Sequence, residues 1–324
     1  MSSNFWRSPV TLLVCFLLVV AVRFNRNGLL VKRSLADVAF YIGNVEFFRG
    51  EPVSVSLQAP FNERLLVTAV ASLLPFDPMT SINVINIIFL LTAIWFLYKL
   101  LNHFNLDSRF VWLGLYIFVL SFPTFYYSTI GYVDSGVLLM IFVGTYAVYK
   151  ENYLLFLLAV ILGTTAKEGV VVLVPVAAAY AFTRKNNRWF FTAAAGLLLY
   201  LVTWGLVKKY VPNGHGHTPV LYWHPNSWRI GDNLSRLQTY VSSILSFGIP
   251  GILCGYYLIR FTGAVKNAWK DDLPLWAGVA GGYSLWLYTL FAAHTDGRFF
   301  WVTYCFPIVL SMLWLSRSGR LNSR

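Results

Sequence analysis

Eight residues of this chain have the types and spacing to do chemistry: Asp37, Tyr41, Arg64, Asp134, Lys167, Glu168, Asp296 and Arg298. A carboxylate set among cations can take a proton from a hydroxyl group while the cations hold an anionic leaving group. Asp37 stands near the start of a helical stretch that opens at Ser34 and stops at Gly50. On it Asp37, Tyr41, Asn44 and Phe48 share one face. An acid in a first turn also suits the helix dipole, so Asp37 reads as a helix stabiliser, as a general base, or as both.

Lys167 and Glu168 sit between two short apolar legs, 153–166 and 169–183. A single helix over 152–183 would be ~48 Å long at 1.5 Å per residue, too long for a bilayer. Ionisable residues at such a depth are costly and mark a functional site by default; the plainer reading is a mutual ion pair closing a helical hairpin. Asp134, in YYSTIGYVDSG, opens another apolar run and could equally be a helix N-terminal acid. Asp296 and Arg298, in AAHTDGRFF, form a tight turn that could be no more than a polar hairpin.

The elements that must position these groups read as membrane. Apolar residues make up 57% of the chain and charged residues 12%, far below the roughly 25% charge of soluble domains. The expected fold is all-α: a polytopic integral membrane protein of about ten transmembrane helices forming one domain over 1–324. Spans are expected near 8–22, 79–101, 109–125, 132–149, 153–166, 169–183, 189–208, 238–260, 272–292 and 299–316. Met1–Val22 resembles a signal peptide but lacks a good cleavage site, so it reads as a retained first helix. A first extracytoplasmic loop, 23–78, is expected to carry two short interfacial helices near 34–50 and 62–74, separated by the Pro52–Pro60 stretch. A second large outer loop spans 209–236.

Counting 62–74 as a crossing would move Arg184, Lys185, Arg188, Arg260, Lys266, Lys270, Arg317, Arg320 and Arg324 outside, against the positive-inside bias. With ten spans all eight candidate residues face the outer side. The net charge of +12 is spread over loop ends, as topology and lipid headgroups require, and carries no nucleic-acid signal. Cys15, Cys254 and Cys305 fall in apolar runs and suggest neither a disulfide framework nor a metal site. His215 and His217 form a His-x-His pair near His224, but with no carboxylate or Cys beside them metal is disfavoured.

In order, the chain has one span, an outer loop with an Asp-x-x-x-Tyr helix and Gly50-Glu51-Pro52, and a Pro-x-x-x-Arg-Leu helix (Pro60, Arg64, Leu65). A span pair meeting at Thr-x-Lys-Glu and a late Asp-Gly-Arg turn follow. This resembles the GT-C class of polytopic glycosyltransferases, which includes protein O-mannosyltransferases and lipid A aminoarabinose transferases. The resemblance covers most of 5–316 through short motifs. It implies a sugar donor on a polyprenyl phosphate, and an acceptor hydroxyl (on a glycan, lipid or protein) attacked on the extracytoplasmic face of a bacterial inner membrane. Asp37 matches the base of that class. Arg64, Lys167 and Arg298 match basic groups around the lipid phosphate, and Asp134 a second acid. Asp37 stands alone where several members have an acidic pair.

Inverting transfer needs one carboxylate and no covalent intermediate. No G-x-G-x-x-G, P-loop or D-x-D is present, which favours a lipid donor over a nucleotide sugar. No motif calls for a cofactor; a divalent cation is compatible with the class. The competing readings are a transporter or flippase for a lipid-linked or anionic substrate, and a membrane subunit that anchors a partner.

Overall fold

The computed structural model describes residues 8–30, 36–212, 227–259, 268–292 and 294–321. Among them it is helical, with no strand. The helices are α1 (Pro9–Leu30), α2 (Ala36–Arg49), α3 (Leu65–Ala71), α4 (Pro78–His103), α5 (Ser108–Val119), α6 (Phe122–Tyr127), α7 (Asp134–Tyr149), α8 (Tyr153–Ala166), α9 (Leu173–Arg184), α10 (Asn187–Tyr210), α11 (Ser227–Ser235), α12 (Leu237–Ile259), α13 (Ala268–Ala292), α14 (Arg298–Trp301) and α15 (Cys305–Leu321), with a 3-10 turn over Glu168–Val172.

Local chemistry explains the boundaries. Asp77 caps α4, its carboxylate accepting from Thr80 N at 3.1 Å, and Pro78 takes the first helical position, where a missing N–H costs nothing. Asn152 and Asn186 cap α8 and α10 in the same way. Gly50 ends α2 with φ at +70°, a conformation glycine adopts without strain.

Among the described residues three helices, α4, α10 and α12, are long and apolar enough to cross a membrane, and shorter apolar helices cover Pro9–Val22, Ser108–Val119, Asp134–Tyr149, Tyr153–Ala166 and Cys305–Ser318. These are the marks of a membrane protein. At its centre is α7, buried along almost its whole length and packed against α4, α8 and α9. The hairpin partner of α7, α8, approaches the 3-10 turn closely because Gly163 has no side chain; a Cβ there would run into Val170.

Several expected boundaries differ. The first helix runs on to Leu30, past 22, so the first polar segment starts later than 23. The helix expected over 62–74 is only Leu65–Ala71, because residues 59–63 are spent in turns. The span 109–125 breaks into α5 and α6 at Ser121, whose hydroxyl accepts from Thr124 N ahead of a Pro in the first turn. The leg expected from 169 begins with the 3-10 turn, and 299–316 divides into α14 and α15. The segment 209–236, expected as a loop, contains α11. Ser34 and the His215, His217 and His224 group lie outside the described residues.

Helix α2 does not simply lie on a surface. It buries Val38, Tyr41, Asn44 and Val45 and exposes Phe47 and Phe48. Asn44 Nδ2 donates to the Phe61 carbonyl at 2.9 Å, and Phe40 stacks on Phe61 at 4.8 Å between centroids. Arg49 then fastens the far end, donating to the carbonyls of Ser72, Leu74 and Phe76 at 3.3, 2.7 and 2.8 Å.

Candidate functional site

Asp37, Arg64, Lys167, Glu168 and Arg298 line one cavity of about 1030 Å³, measured out to its open mouth. Phe61, Leu285, Tyr288 and Phe299 supply part of its apolar wall, and His294 stands on its lining too. Tyr41, Asp134 and Asp296 do not line it but hold residues that do.

Each group arrives by a different local route. Arg64 occupies the N-cap position of α3 and makes no capping bond with its side chain, which is thereby free to reach inward. It donates to the Tyr41 hydroxyl at 2.5 Å and lies 3.5 Å from Glu168 Oε1. Its Nε is buried with no hydrogen-bond partner, an unusual condition for a charged donor. Burial opposes the Arg64 charge, but Tyr41, Glu168 and Asp134 outweigh it, and its pKa is raised. Burial pushes the Tyr41 hydroxyl up as well, so it stays a neutral phenol.

Extended backbone at Lys167, between α8 and the 3-10 turn, sends two neighbouring side chains to different partners. Lys167 Nζ meets Asp134 Oδ1 at 2.5 Å, while Glu168 faces Arg64. The mutual Lys167–Glu168 pair that the sequence allowed does not form. Asp134 is the first residue of α7, and its side chain is 3% exposed against 6% for Lys167. The Lys167 ammonium also stands 4.8 Å from the centre of the Phe299 ring.

Arg298 is the hub. Its NH1 is 3.9 Å from both Asp37 Oδ2 and Asp134 Oδ2, and its Nε is 2.8 Å from Asp296 Oδ2. Asp296 Oδ1 accepts from the Arg298 backbone N at 2.8 Å, locking the turn that carries the guanidinium. The guanidinium lies 4.2 Å over the Tyr132 ring, a favourable cation–π geometry. The Asp-Gly-Arg segment is therefore a buried bracket rather than an exposed hairpin turn. Gly297 is required there, since a Cβ would strike Ser246 Oγ and the Ser242 carbonyl of α12.

All eight sequence candidates thus join one network. Sequence reading missed Tyr132 and Phe299, which cover the cations, and the roles of Arg49 and Asn44, which hold α2 in place. An aromatic next to an apolar run carries no local signal that a cation will lie over it.

The carboxylates are engaged mainly with cations. Asp134 is committed to Lys167 and Arg298, Asp296 to Arg298 and Glu168 to Arg64, which leaves Asp37 with a side chain 33% exposed and only the more distant Arg298 beside it. Among the described residues no three His, Cys, Asp or Glu side chains gather into a metal-binding group.

Chemically, the arrangement offers two partly exposed carboxylates, Asp37 and the Arg64-paired Glu168, beside three largely buried cations on a partly apolar wall. Comparison with protein-family models, curated proteins and solved structures gives no match to this chain.

Proposed function

We propose that the protein is a membrane glycosyltransferase that moves a sugar from a polyprenyl-phosphate carrier to a hydroxyl acceptor on the extracytoplasmic face, across a domain of about ten spans. The observation that carries the reading is the placement of Asp37 on the same cavity wall as Arg64, Lys167 and Arg298. A general base needs an accessible carboxylate, and a departing phosphate needs cations already in position.

In the proposed reaction Asp37 takes the proton of the acceptor hydroxyl. The acceptor oxygen bonds to the anomeric carbon, the bond from that carbon to the phosphate oxygen breaks, and the configuration inverts. The electron pair leaves on the polyprenyl phosphate, whose charge Arg64, Lys167 and Arg298 balance. The unpartnered Arg64 Nε supplies a donor for a phosphate oxygen. Asp134 and Asp296 aim the cations, and Tyr41 steadies Arg64. The apolar wall suits the lipid end of the donor.

A transporter for an anionic lipid is the second reading. It draws on the breaks in α12, where Gly248 has non-helical angles two residues before Pro250, and between α8 and α9. The charges, however, gather on one cavity beside Asp37, a partly exposed acid no closer than 3.9 Å to its Arg298 partner, which transport does not need. Purified protein incubated with radiolabelled polyprenyl-phosphate sugars decides the matter. Label transfer by wild type and its loss in Asp37→Asn supports the transferase; no transfer with any sugar and acceptor, alongside movement of the lipid across vesicles, supports the transporter.

A further inference from the structure

Two asparagines stand inside α4, a helix apolar enough to cross a membrane. Asn83 and Asn86 are three residues apart, share a face and are almost fully buried. A buried amide is costly unless it is bonded, and both of these are bonded to one short stretch of chain. Asn83 Oδ1 accepts from Gly131 N at 3.0 Å. Asn86 Nδ2 donates to the Tyr132 carbonyl at 2.7 Å, and its Oδ1 accepts from the Ser135 hydroxyl at 2.5 Å.

That stretch joins α6 to α7 and has no regular structure from Gly131 to Val133. Without a helical ladder of its own, its backbone takes partners from outside. Gly131 turns with φ at +81°, so close to α2 that a Cβ would come within 2.7 Å of Val38 Cγ1 and of Met79 Sδ. Val38 directly follows Asp37. One end of the stretch is therefore pressed on the helix that carries Asp37, while Tyr132 covers the Arg298 guanidinium at 4.2 Å and Asp134 meets Lys167.

Arg298 NH1 is the group this arrangement governs. It stands 3.9 Å from Asp37 and 3.9 Å from Asp134, too far for a hydrogen bond to either. The Tyr132 ring and Asp296 orient the guanidinium instead, which leaves NH1 able to turn to a phosphate oxygen. An advance of Asp134 by about 1 Å would bring it to hydrogen-bond distance and take that NH1 for itself.

We propose that Asn83 and Asn86 are positioning residues for the reaction centre. Through the Gly131 and Tyr132 backbone and Ser135 they fix the Tyr132 ring and the Asp134 carboxylate around Arg298, and so set its guanidinium for the donor phosphate. The identity of that ligand rests on the transferase reading; the mechanical link from α4 to Arg298 does not. Neither asparagine lines the cavity. Their action is that of a supporting shell, whose slackening by about 1 Å can cost about 10²-fold in rate.

Transfer kinetics and the binding of a short-chain polyprenyl phosphate are measured on the full-length protein in detergent. Asn86→Leu, close in size, should raise donor KM and weaken that binding by about tenfold or more. A double-mutant cycle assigns the route. In a Tyr132→Leu background the further loss from Asn86→Leu should shrink to under about threefold, because the ring it aims is gone. Tyr257→Phe gives up a buried bond to Asp272 and serves as the control for loss of stability alone, so it should keep donor KM. Unchanged donor KM in Asn86→Leu, equal losses in the two backgrounds, or an equal rise in Tyr257→Phe overturns the proposal. If Asn86→Leu does not fold, Asn83→Ala removes the single bond from Gly131 and enters the same cycle. If wild type neither transfers sugar nor binds the phosphate, the transferase reading has failed, and a cycle without substrate decides the link. The melting-temperature losses of Asn83→Ala and Arg298→Gln, whose bonds run to different partners, should then fall clearly short of additive; strict additivity refutes the link.

Discussion

Lys167 and Asp134, 33 residues apart in the chain, meet at 2.5 Å with both side chains almost wholly out of solvent. A buried pair of this kind is dangerous to break, because removing one partner strands the other charge. Lys167→Ala should therefore lower stability by about 3–5 kcal/mol, toward the lower figure because Arg298 stands 3.9 Å from Asp134. Thermal unfolding in detergent measures this. Lys167→Met combined with Asp134→Leu should recover much of the loss; an unchanged melting temperature in Lys167→Ala would show that the pair is not formed.

Asp37 is tested by activity rather than stability. Asp37→Asn keeps the size of the side chain and its suitability for a first helical turn but removes the proton acceptor. Transfer should fall by about 10²–10⁴-fold while donor binding survives. Asp37→Glu should also be poor, because a misplacement of about 1 Å can cost about 10²-fold. Near-normal transfer by Asp37→Asn would make the residue a helix stabiliser only.

Arg64 carries three donors toward three destinations: Tyr41, Glu168 and an open Nε. Arg64→Lys keeps the charge and loses the fork, so donor KM should rise by about tenfold or more with folding intact. A KM equal to wild type would place the lipid phosphate elsewhere.

Gly297 has ordinary helical angles, so its requirement is one of space alone. Gly297→Ala should cost about 1–3 kcal/mol through overpacking against Ser246, and should displace Arg298. Activity should drop further than stability. If thermal unfolding and transfer are both unaffected, α12 does not press on this turn.

Orientation can be read by labelling single cysteines in intact cells. Ser54, Ser108 and Asn187 are exposed. Ser54→Cys should react with a membrane-impermeant thiol reagent from outside, and Ser108→Cys and Asn187→Cys only after the cells are opened. Labelling of all three from one side would refute the ten-span topology.

Much of this was legible in local sequence. Composition points to a membrane protein, since so few charges cannot cover a soluble surface, and the long apolar runs point to helices. Caps at Asp77, Asn152 and Asn186 place helix starts, because a short polar side chain bonds N–H groups only two or three residues away. The Ser121-Phe122-Pro123-Thr124 break was equally local, and is hidden only when hydropathy is averaged across it. The eight charged and phenolic groups could be named because ionisable residues are scarce in such a chain.

Which of them pair was decided by tertiary structure. Lys167 and Glu168 are adjacent, yet extended backbone at Lys167 turns one toward Asp134 of α7 and the other toward Arg64 ahead of α3. No local rule selects a partner 33 residues away over one next door; the packing of α8 on α7 does. Likewise Arg298 looks like a turn residue until Gly297 seats against α12 and the guanidinium is buried over Tyr132. Local sequence sets hydrogen bonds within about four residues, whereas charge partners across helices depend on how close the packed backbones come, and that distance exists only in the folded chain.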